Sequence, residues 1–384
     1  MRTTLTMVLA IGLAATAWAA DQSAATPAGC TASATTCTAK PNTLTCCQAK
    51  AGQLLLFDGE TTFGWKVEGD AKVVDGTLVI GGGKDTVART TTQFGDFELA
   101  FQYSSDTAKD AKLVLNGRKY DLTAAKADGW VQAKWKVESK GGAYEVRPAF
   151  GAVGSELTTG EPVKQSGASL TPVEFHVPAG RKLVLRNVML KPLGMKDLFN
   201  GKDLTGWKPV EGRQSVFSVT PDGELNVKNG GGELQSDWQG DDFVLQLDII
   251  SNGKHLNSGI FFRALRGQFW QGYESQIRNQ WEGDDRTKPV DYGTGGIYNR
   301  QPTRKVIPSD GEWFTMTVIA QGPHIATWVN GYQCTDYVDE QADAPTARKG
   351  RYLGKGCIGI QGHDPTTDLS FKNIRVADLP KPLK

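Results

Sequence analysis

The sequence predicts an all-β protein made of two tandem jelly-roll β-sandwiches, and three observations carry that expectation. Glycine is abundant, at 45 of 384 residues, and Trp, Tyr and Phe recur between Gly, Asn and Asp clusters, the composition of many short strands joined by turns. Stretches such as "DFVLQLDII" and "WFTMTVIA" are strand-like, "WVNGYQ" carries the Asn330-Gly331 hairpin signal, and few segments show a helical period. Third, the chain repeats itself. "LLLFDGETTFGW" (54–65) recurs as "KDLFNGKDLTGW" (196–207), and "FGDFELAFQYSS" (94–105) matches "GDDFVLQLDIIS" (240–251). "DGWVQAKWKVESKGGAYEV" (128–146) resembles "DGEWFTMTVIAQGPHIATWV" (310–329), and "LVLRNVMLKPL" (183–193) resembles "LSFKNIRVADL" (369–379). Four correspondences in one order imply two copies of one sandwich domain.

The elements follow from the N-terminus. "MRTTLTMVLAIGLAATAWAAD" sets Arg2 before an apolar run and ends in Ala17-Trp18-Ala19, so residues 1–19 read as a secretory signal peptide and the mature protein as periplasmic or secreted. No other stretch is long enough for a transmembrane helix. Residues 20–52 read as a linker carrying Cys30, Cys37, Cys46 and Cys47, for which disulfides are favoured over metal in an oxidising compartment. Cys334 and Cys357 lie in separate strand patterns and pair only if those strands are neighbours. Residues 53–193 form the first, accessory copy, and 195–384 the second, working copy, with the boundary near Gly194. A formal charge of +1 gives no electrostatic reason to expect a nucleic-acid partner.

Between its matched strands the second copy holds an insert, 255–308, that the first almost entirely lacks. Read as a strand from Tyr273, it puts Glu274, Gln276, Arg278 and Gln280 on one face. Neighbours on a face lie about 6.5 to 7 Å apart, so three of these side chains span roughly two linked sugar rings. Planar polar groups beside Phe269, Trp270, Tyr273 and Trp281 suit a carbohydrate groove, although an antiparallel sheet often shows water a polar face for no other reason. "HLNSGIFFR" sets Asn257, Gly259, Phe261 and Arg263 on one side of a second strand, with Arg263 expected to pair with Glu274. That pair reads equally well as structural or catalytic. The Asp284, Asp285 and Asp291 loop matches no calcium-loop spacing. Gly293, Gly295 and Gly296 allow close backbone approach, with Tyr298 presenting its hydroxyl beyond them. "IGIQGHDPTTD" brings Gln361, His363 and Asp364 to a strand end, and His363 is the best-placed proton carrier among four histidines.

"LFNGKDLTGW", "NSGIFFR", "GYESQI", "GGIY", "WVNG" and "IGIQGHDPTTDLSFKNI" together resemble the 3-keto-disaccharide hydrolase domain family. The resemblance covers the second copy throughout, and the first only in its frame motifs. It implies a concanavalin A-like jelly roll in exported bacterial proteins that act on oxidised sugars. The pattern departs at Asn279 and at Gly362, where acidic residues are usual. For cleavage, the resemblance implies elimination from a 3-keto glycoside, which needs one base, a cation for the enolate and an acid for the leaving oxygen, unlike the paired carboxylates of ordinary glycosidases. Glu274 or His363 is then the base, Arg263 the enolate contact, and Tyr298 or His363 the proton donor. Asn257, Gln276, Gln361, Trp270, Tyr273 and Arg278 hold the sugar. A divalent metal, Ca²⁺ or Mn²⁺, could replace the cation, with His363 and Asp364 as its ligands, but no ligand set is legible. The competing reading is a non-catalytic carbohydrate-binding module of the lectin or laminin-G-like kind.

Overall fold

The computed structural model describes residues 40–122, 129–167 and 169–381. The signal-peptide segment, Cys30 and Cys37 lie outside the described residues. Each frame motif builds the same corner. In "FDGETTFGW" the Trp65 indole N–H donates to the Leu56 carbonyl at 2.5 Å, and in "FNGKDLTGW" the Trp207 indole donates to Leu198 at 2.8 Å. Asp58 and Asn200 each accept two backbone N–H groups of the turn that follows. Short acceptor side chains are favoured in such turns because they bond the backbone two or three residues on. The closing strands also match. Asn187 and Asn373 adopt positive φ, 52° and 51°, at irregularities in their ladders, a conformation that Asn tolerates better than other non-glycine residues.

Two copies of one topology result. In the first, a nine-stranded sheet runs from Thr158–Thr159 through Ala143–Ala152, Trp130–Lys140, Phe97–Ser104, Lys182–Pro192 and Thr77–Gly81 to Ala71–Val74, with Leu54–Leu55 and Val163–Ser166 as side branches. It packs on a five-stranded sheet ordered Trp65–Glu68, Thr86–Thr90, Glu174–Val177, Lys112–Leu115, Arg118–Asp121. The second repeats this with an eight-stranded sheet and a five-stranded sheet ordered Trp207–Pro209, Gly232–Gly240, Gly356–Gly362, Ser258–Ala264, Tyr273–Ile277. The protein is therefore all-β, two jelly-roll sandwiches in tandem. Cys334 and Cys357 fall on different sheets of the second sandwich and do not pair. Burial pushes their thiols up, to about 11 and about 12, so both stay protonated and inert.

The copies share a core. Val244, Ile319, Ala326, Trp328 and Leu379 of the second sandwich are buried in one cluster with Leu54, Leu56 and Val188 of the first. Residues 40–53 are sewn into this seam: Asn42 and Asn187 exchange side-chain to backbone bonds at 2.6 and 2.8 Å. The Gln246 amide donates to the Gly52 carbonyl at 2.8 Å, and Leu55 N–H to Gly331. A five-residue helix, Cys46–Lys50, starts on a Thr45–Gln48 capping box. Among the described residues no helix is long and apolar enough to cross a membrane.

Candidate functional site

The five-stranded sheet of the second sandwich carries the site because its two faces have opposite chemistry. Leu234, Ile260, Phe262, Tyr273, Ile277, Ile358 and Ile360 point inward to the core. Alternation sends Glu233, Gln235, Gly259, Phe261, Glu274, Gln276, Gly359 and Gln361 to the other face. Register aligns them in rows: Gln235, Gly359, Phe261 and Glu274 lie side by side, with Glu233 beside Gln361 and Gly259 beside Gln276. Two glycines make this face usable. A Cβ on Gly259 would sit 2.3 Å from Glu274 Oε1, and one on Gly359 would sit 2.3 Å from Glu233 Oε1. The two glutamates thus lie over the two strands between their own, Gly356–Gly362 and Ser258–Ala264, in space that any side chain would fill.

Loops roof this face and leave an open cavity of about 310 Å³, lined by Gly231, Asn257, Phe269, Trp270, Glu274, Gln276, Asp291, Tyr298, Gln361 and His363. Segment 293–298 docks on the Glu274 strand: Gln276 N–H donates to Gly296, Gly295 N–H to Gln276, and Tyr298 N–H to Glu274. The glycines serve close approach here, Gly295 lying against Cys334 and Val329, where a Cβ would come within 2.9 Å. Asp291, at positive φ, accepts the side-chain amides of Asn257 and Gln276, each at 3.0 Å. The His363 turn is pinned by Thr367, whose hydroxyl accepts the N–H groups of His363 and Asp364 at 3.0 and 3.1 Å. Asp364 Oδ2 lies 2.9 Å from His363 Nδ1, and His363 Nε2 lies 3.3 Å from the Asn257 amide nitrogen. If Nδ1 carries the proton, the Nε2 lone pair accepts the Asn257 amide N–H at the cavity wall, at a long 3.3 Å.

Glu274 is almost wholly buried, and its carboxylate binds the Arg348 guanidinium. Burial raises its pKa, opposed by Arg348 and by the nearby His363. Arg348 is ringed by aromatics, 4.3 Å from the Trp270 ring, 5.2 Å from Phe261 and 5.3 Å from Tyr298, and its Nε donates to the Trp270 carbonyl at 3.3 Å. Tyr298 holds its phenol proton more tightly than usual, through burial and the charges of Asp291 and Glu274. Two acceptors remain open: Asn257 Oδ1 and Gln361 Oε1 are buried without a partner, on residues that line the cavity. Unpaired buried acceptors cost stability unless a ligand or water donates to them.

Of the residues singled out from sequence, Asn257, Trp270, Glu274, Gln276, Tyr298, Gln361 and His363 meet at one cavity. Three do not reach it. Arg263 does not pair with Glu274. A register shift follows Phe261, Arg263 takes a φ of 48°, and its buried side chain runs to Asp242 at 3.2 Å and to the carbonyls of Asp241, Gly322 and Tyr352. A bulge re-aims the side chain that falls on it. Tyr273 packs in the core and donates its hydroxyl to Asp339 at 2.7 Å. Arg278 lies beyond the end of its strand and bonds Gln280. Sequence reasoning missed Arg348 and Glu233. The first belongs to a loop 74 positions from Glu274, where no local pattern marks it; the second is visible in "GGGELQSDW" only as a carboxylate two residues before Gln235.

The donor set does not fit a divalent metal. Glu274 is taken by Arg348, Asp291 by two amides, and Asp364 by His363 and Thr366. Among the described residues no group of three or more His, Cys, Asp or Glu is placed to hold an ion.

The model of the family described as the 3-keto-alpha-glucoside-1,2-lyase-like domain matches residues 52–176 and 194–377, one stretch in each sandwich. No curated protein matches this chain. Among solved structures, a Parabacteroides distasonis protein assigned as a candidate glycosyl hydrolase is 23% identical, with a TM-score of 0.39, over 49% of this chain and 94% of that one. A carbohydrate-binding module from Bacillus subtilis is 16% identical, with a TM-score of 0.34, over 46% and 97%. Similarity at that level bears on neither substrate nor reaction.

Proposed function

The chain belongs to the 3-keto-alpha-glucoside-1,2-lyase-like domain family and is carbohydrate-active, and we propose that its second sandwich cleaves 3-keto glycosides or 3-keto disaccharides by elimination, outside the cytoplasm. One observation carries the reading: a single cavity joins an imidazole backed by a carboxylate, a tightly protonated phenol, and two open amide acceptors. A ketone at C3 acidifies the C2 hydrogen. His363 Nε2, held in the right tautomer by Asp364, gives up its long contact with the Asn257 amide to the substrate and takes that proton. The C2–H electrons form the C1=C2 bond as the C1–O bond breaks, and Tyr298 gives the departing oxygen its proton. The products are an alcohol or sugar and an unsaturated 3-keto sugar. Both residues reset by exchange with solvent, so the step balances without an oxidant. Gln361 and Asn257 hold hydroxyls, and the Trp270 ring covers an apolar sugar face. The volume lies at the small end of ligand sites, about 300 to 1,000 Å³, which favours a disaccharide over a polymer.

Incubation of the purified full chain with 3-keto-trehalose or 3-keto-lactose should release free glucose. His363→Ala and Tyr298→Phe should lose turnover by orders of magnitude while keeping affinity within a few-fold, the behaviour of groups used in the transition state. The Glu274–Arg348 ion pair favours a second reading, a binding module, since a carboxylate held by a guanidinium is a weak base. Saturable binding with no product, and only modest weakening in Glu274→Gln, would establish that reading instead.

A further inference from the structure

Glu233 has no exposure to solvent and does not line the cavity, yet its carboxylate faces the residues that shape it. Oε2 accepts the Trp270 N–H at 2.9 Å, and Oε1 accepts the Gln235 side-chain N–H at 2.8 Å. Gln235 continues along the same loop: its oxygen accepts Gly267 N–H at 2.8 Å, and its amide also reaches the carbonyls of Leu265 and Gln268. Two side chains of one strand therefore hold the 265–270 loop, and that loop supplies Phe269 and Trp270 to the cavity wall. Trp270 is gripped from both ends. Its N–H is held by Glu233, while its carbonyl accepts Arg348 Nε and its ring stacks on the same guanidinium. Trp270 also sits at a φ of 64°, a backbone state that a bulky residue occupies only when its surroundings impose it.

We propose that Glu233 is a positioning residue for this cavity: by clamping the Trp270 backbone it sets the aromatic wall and holds Arg348 on Glu274. This deepens the reading above and rests on it for the activity arm alone. The clamp also senses pH. The charged groups facing Glu233 are Arg348 from its loop and Glu274 from the Tyr273–Ile277 strand, two strands intervening, with the Cys357 thiol, held protonated at about 12, on the adjacent Gly356–Gly362 strand. Burial raises Glu233 to about 7, against the Trp270 and Gln235 hydrogen bonds and Arg348. Ionised, both oxygens accept. Protonated, one oxygen carries a hydrogen and gives up an acceptor role. The clamp is tight above about pH 7 and slack below it.

The test compares the full chain with Glu233→Gln, which keeps the shape and fixes the slack state. With 3-keto-trehalose, KM of the variant should rise about tenfold at pH 8, the worth of one charge-assisted hydrogen bond. It should match wild type at pH 5.5, and kcat should change little at either pH. Independently, in protein labelled with 13C at the glutamate carboxyls, a buried resonance should titrate near pH 7, carry the Glu274 resonance with it, and vanish in Glu233→Gln. An unchanged pH profile together with an unmoved Glu274 resonance overturns the proposal. If wild type turns over no keto sugar, the proposed reaction fails, and the carboxyl titration alone decides the role of Glu233.

Discussion

Replacing Arg263 by Met separates a structural cation from a catalytic one. The side chain is fully buried, and it supplies N–H donors to the carbonyls of Asp241 at 2.6 Å, Gly322 at 2.8 Å and Tyr352 at 3.3 Å, besides its ion pair with Asp242. Breaking a buried pair by removing one partner costs about 3 to 5 kcal/mol, because the other charge stays behind. Here the stranded Asp242 keeps the Gly322 N–H at 2.8 Å and Lys381 at 3.0 Å, which pulls the cost toward the lower bound. The three carbonyls, which Met cannot satisfy, push it back up. At about 2 to 4 °C per kcal/mol for a domain of this size, Tm of the second sandwich should fall by roughly 6 to 20 °C. Differential scanning fluorimetry and urea denaturation measure the loss, and the folded variant at 20 °C should bind a keto disaccharide within about twofold of wild type. A loss below about 1 kcal/mol, or abolished sugar binding at unchanged Tm, would refute the assignment of Arg263 to the frame.

Glu233 contributes a pH gradient of stability. Its folded pKa of about 7 lies above the ordinary 4.5, so between those values the folded state keeps a proton that the unfolded chain has lost. Stability should fall by about 3 kcal/mol as pH rises through that window, and denaturant curves of Glu233→Gln should lack the slope. Asp58 behaves in the opposite sense. Burial raises its pKa, but N–H donors of Thr61 and Glu60 and the Arg304 guanidinium bring it below 3.8. Its contribution is therefore complete above that value and lost as pH falls further. Asp58→Asn should remove part of the acid-unfolding transition, read by fluorescence between pH 5 and pH 2. Gly259→Ala should leave far-UV circular dichroism unchanged while driving Glu274 from its seat, since the new Cβ would lie 2.3 Å from Oε1. A crystal structure showing Glu274 still bonded to Arg348 in that variant would count against the role given to this glycine.

The frame was legible because its signals are local. The Phe-Gly-Trp corner and the bulge asparagines need particular residues at fixed spacings, so their recurrence exposed two copies. Half the cavity was legible for the same reason: Asn257, Glu274, Gln276 and Gln361 share a face by alternation alone. Arg263 broke the pattern at a bulge, and a one-residue irregularity reverses every side chain beyond it. Tyr273 fell on the core face even under simple alternation; its ring suggested a sugar contact that its parity forbids. Arg348 was illegible because it reaches Glu274 only through tertiary structure.

The two sandwiches differ in the face that carries the cavity. In the first, the matching face is filled by ion pairs: Arg89 bridges Glu68 at 2.5 Å and Glu174 at 3.5 Å, His176 lies 2.6 Å from Glu174, and Lys112 pairs with Asp121. Such half-exposed pairs contribute little stability, about 0 to 1 kcal/mol each, but by register Arg89, Glu174, His176, Lys112 and Asp121 stand where the second copy sets Gln235, Gly359, Gln361, Gly259 and Gln276, so charged side chains fill the places of its two clearing glycines. The first copy also lacks a long insert after the edge strand of its five-stranded sheet, which ends at Asp121, with the next strand beginning at Trp130. In the second copy the corresponding stretch runs from Ile277 to Phe314 and supplies Asp291 and Tyr298. That insert rests on the other sandwich. Arg304 bonds Asp58 at 2.9 Å and Thr61 at 3.0 Å and stacks 4.1 Å from Phe63, all within the first copy's corner motif. The duplicated corner has thus taken on a second task, bracing the loop its twin uses to close a cavity. The first sandwich keeps an ion-paired face, while its corner and the shared core do the bracing.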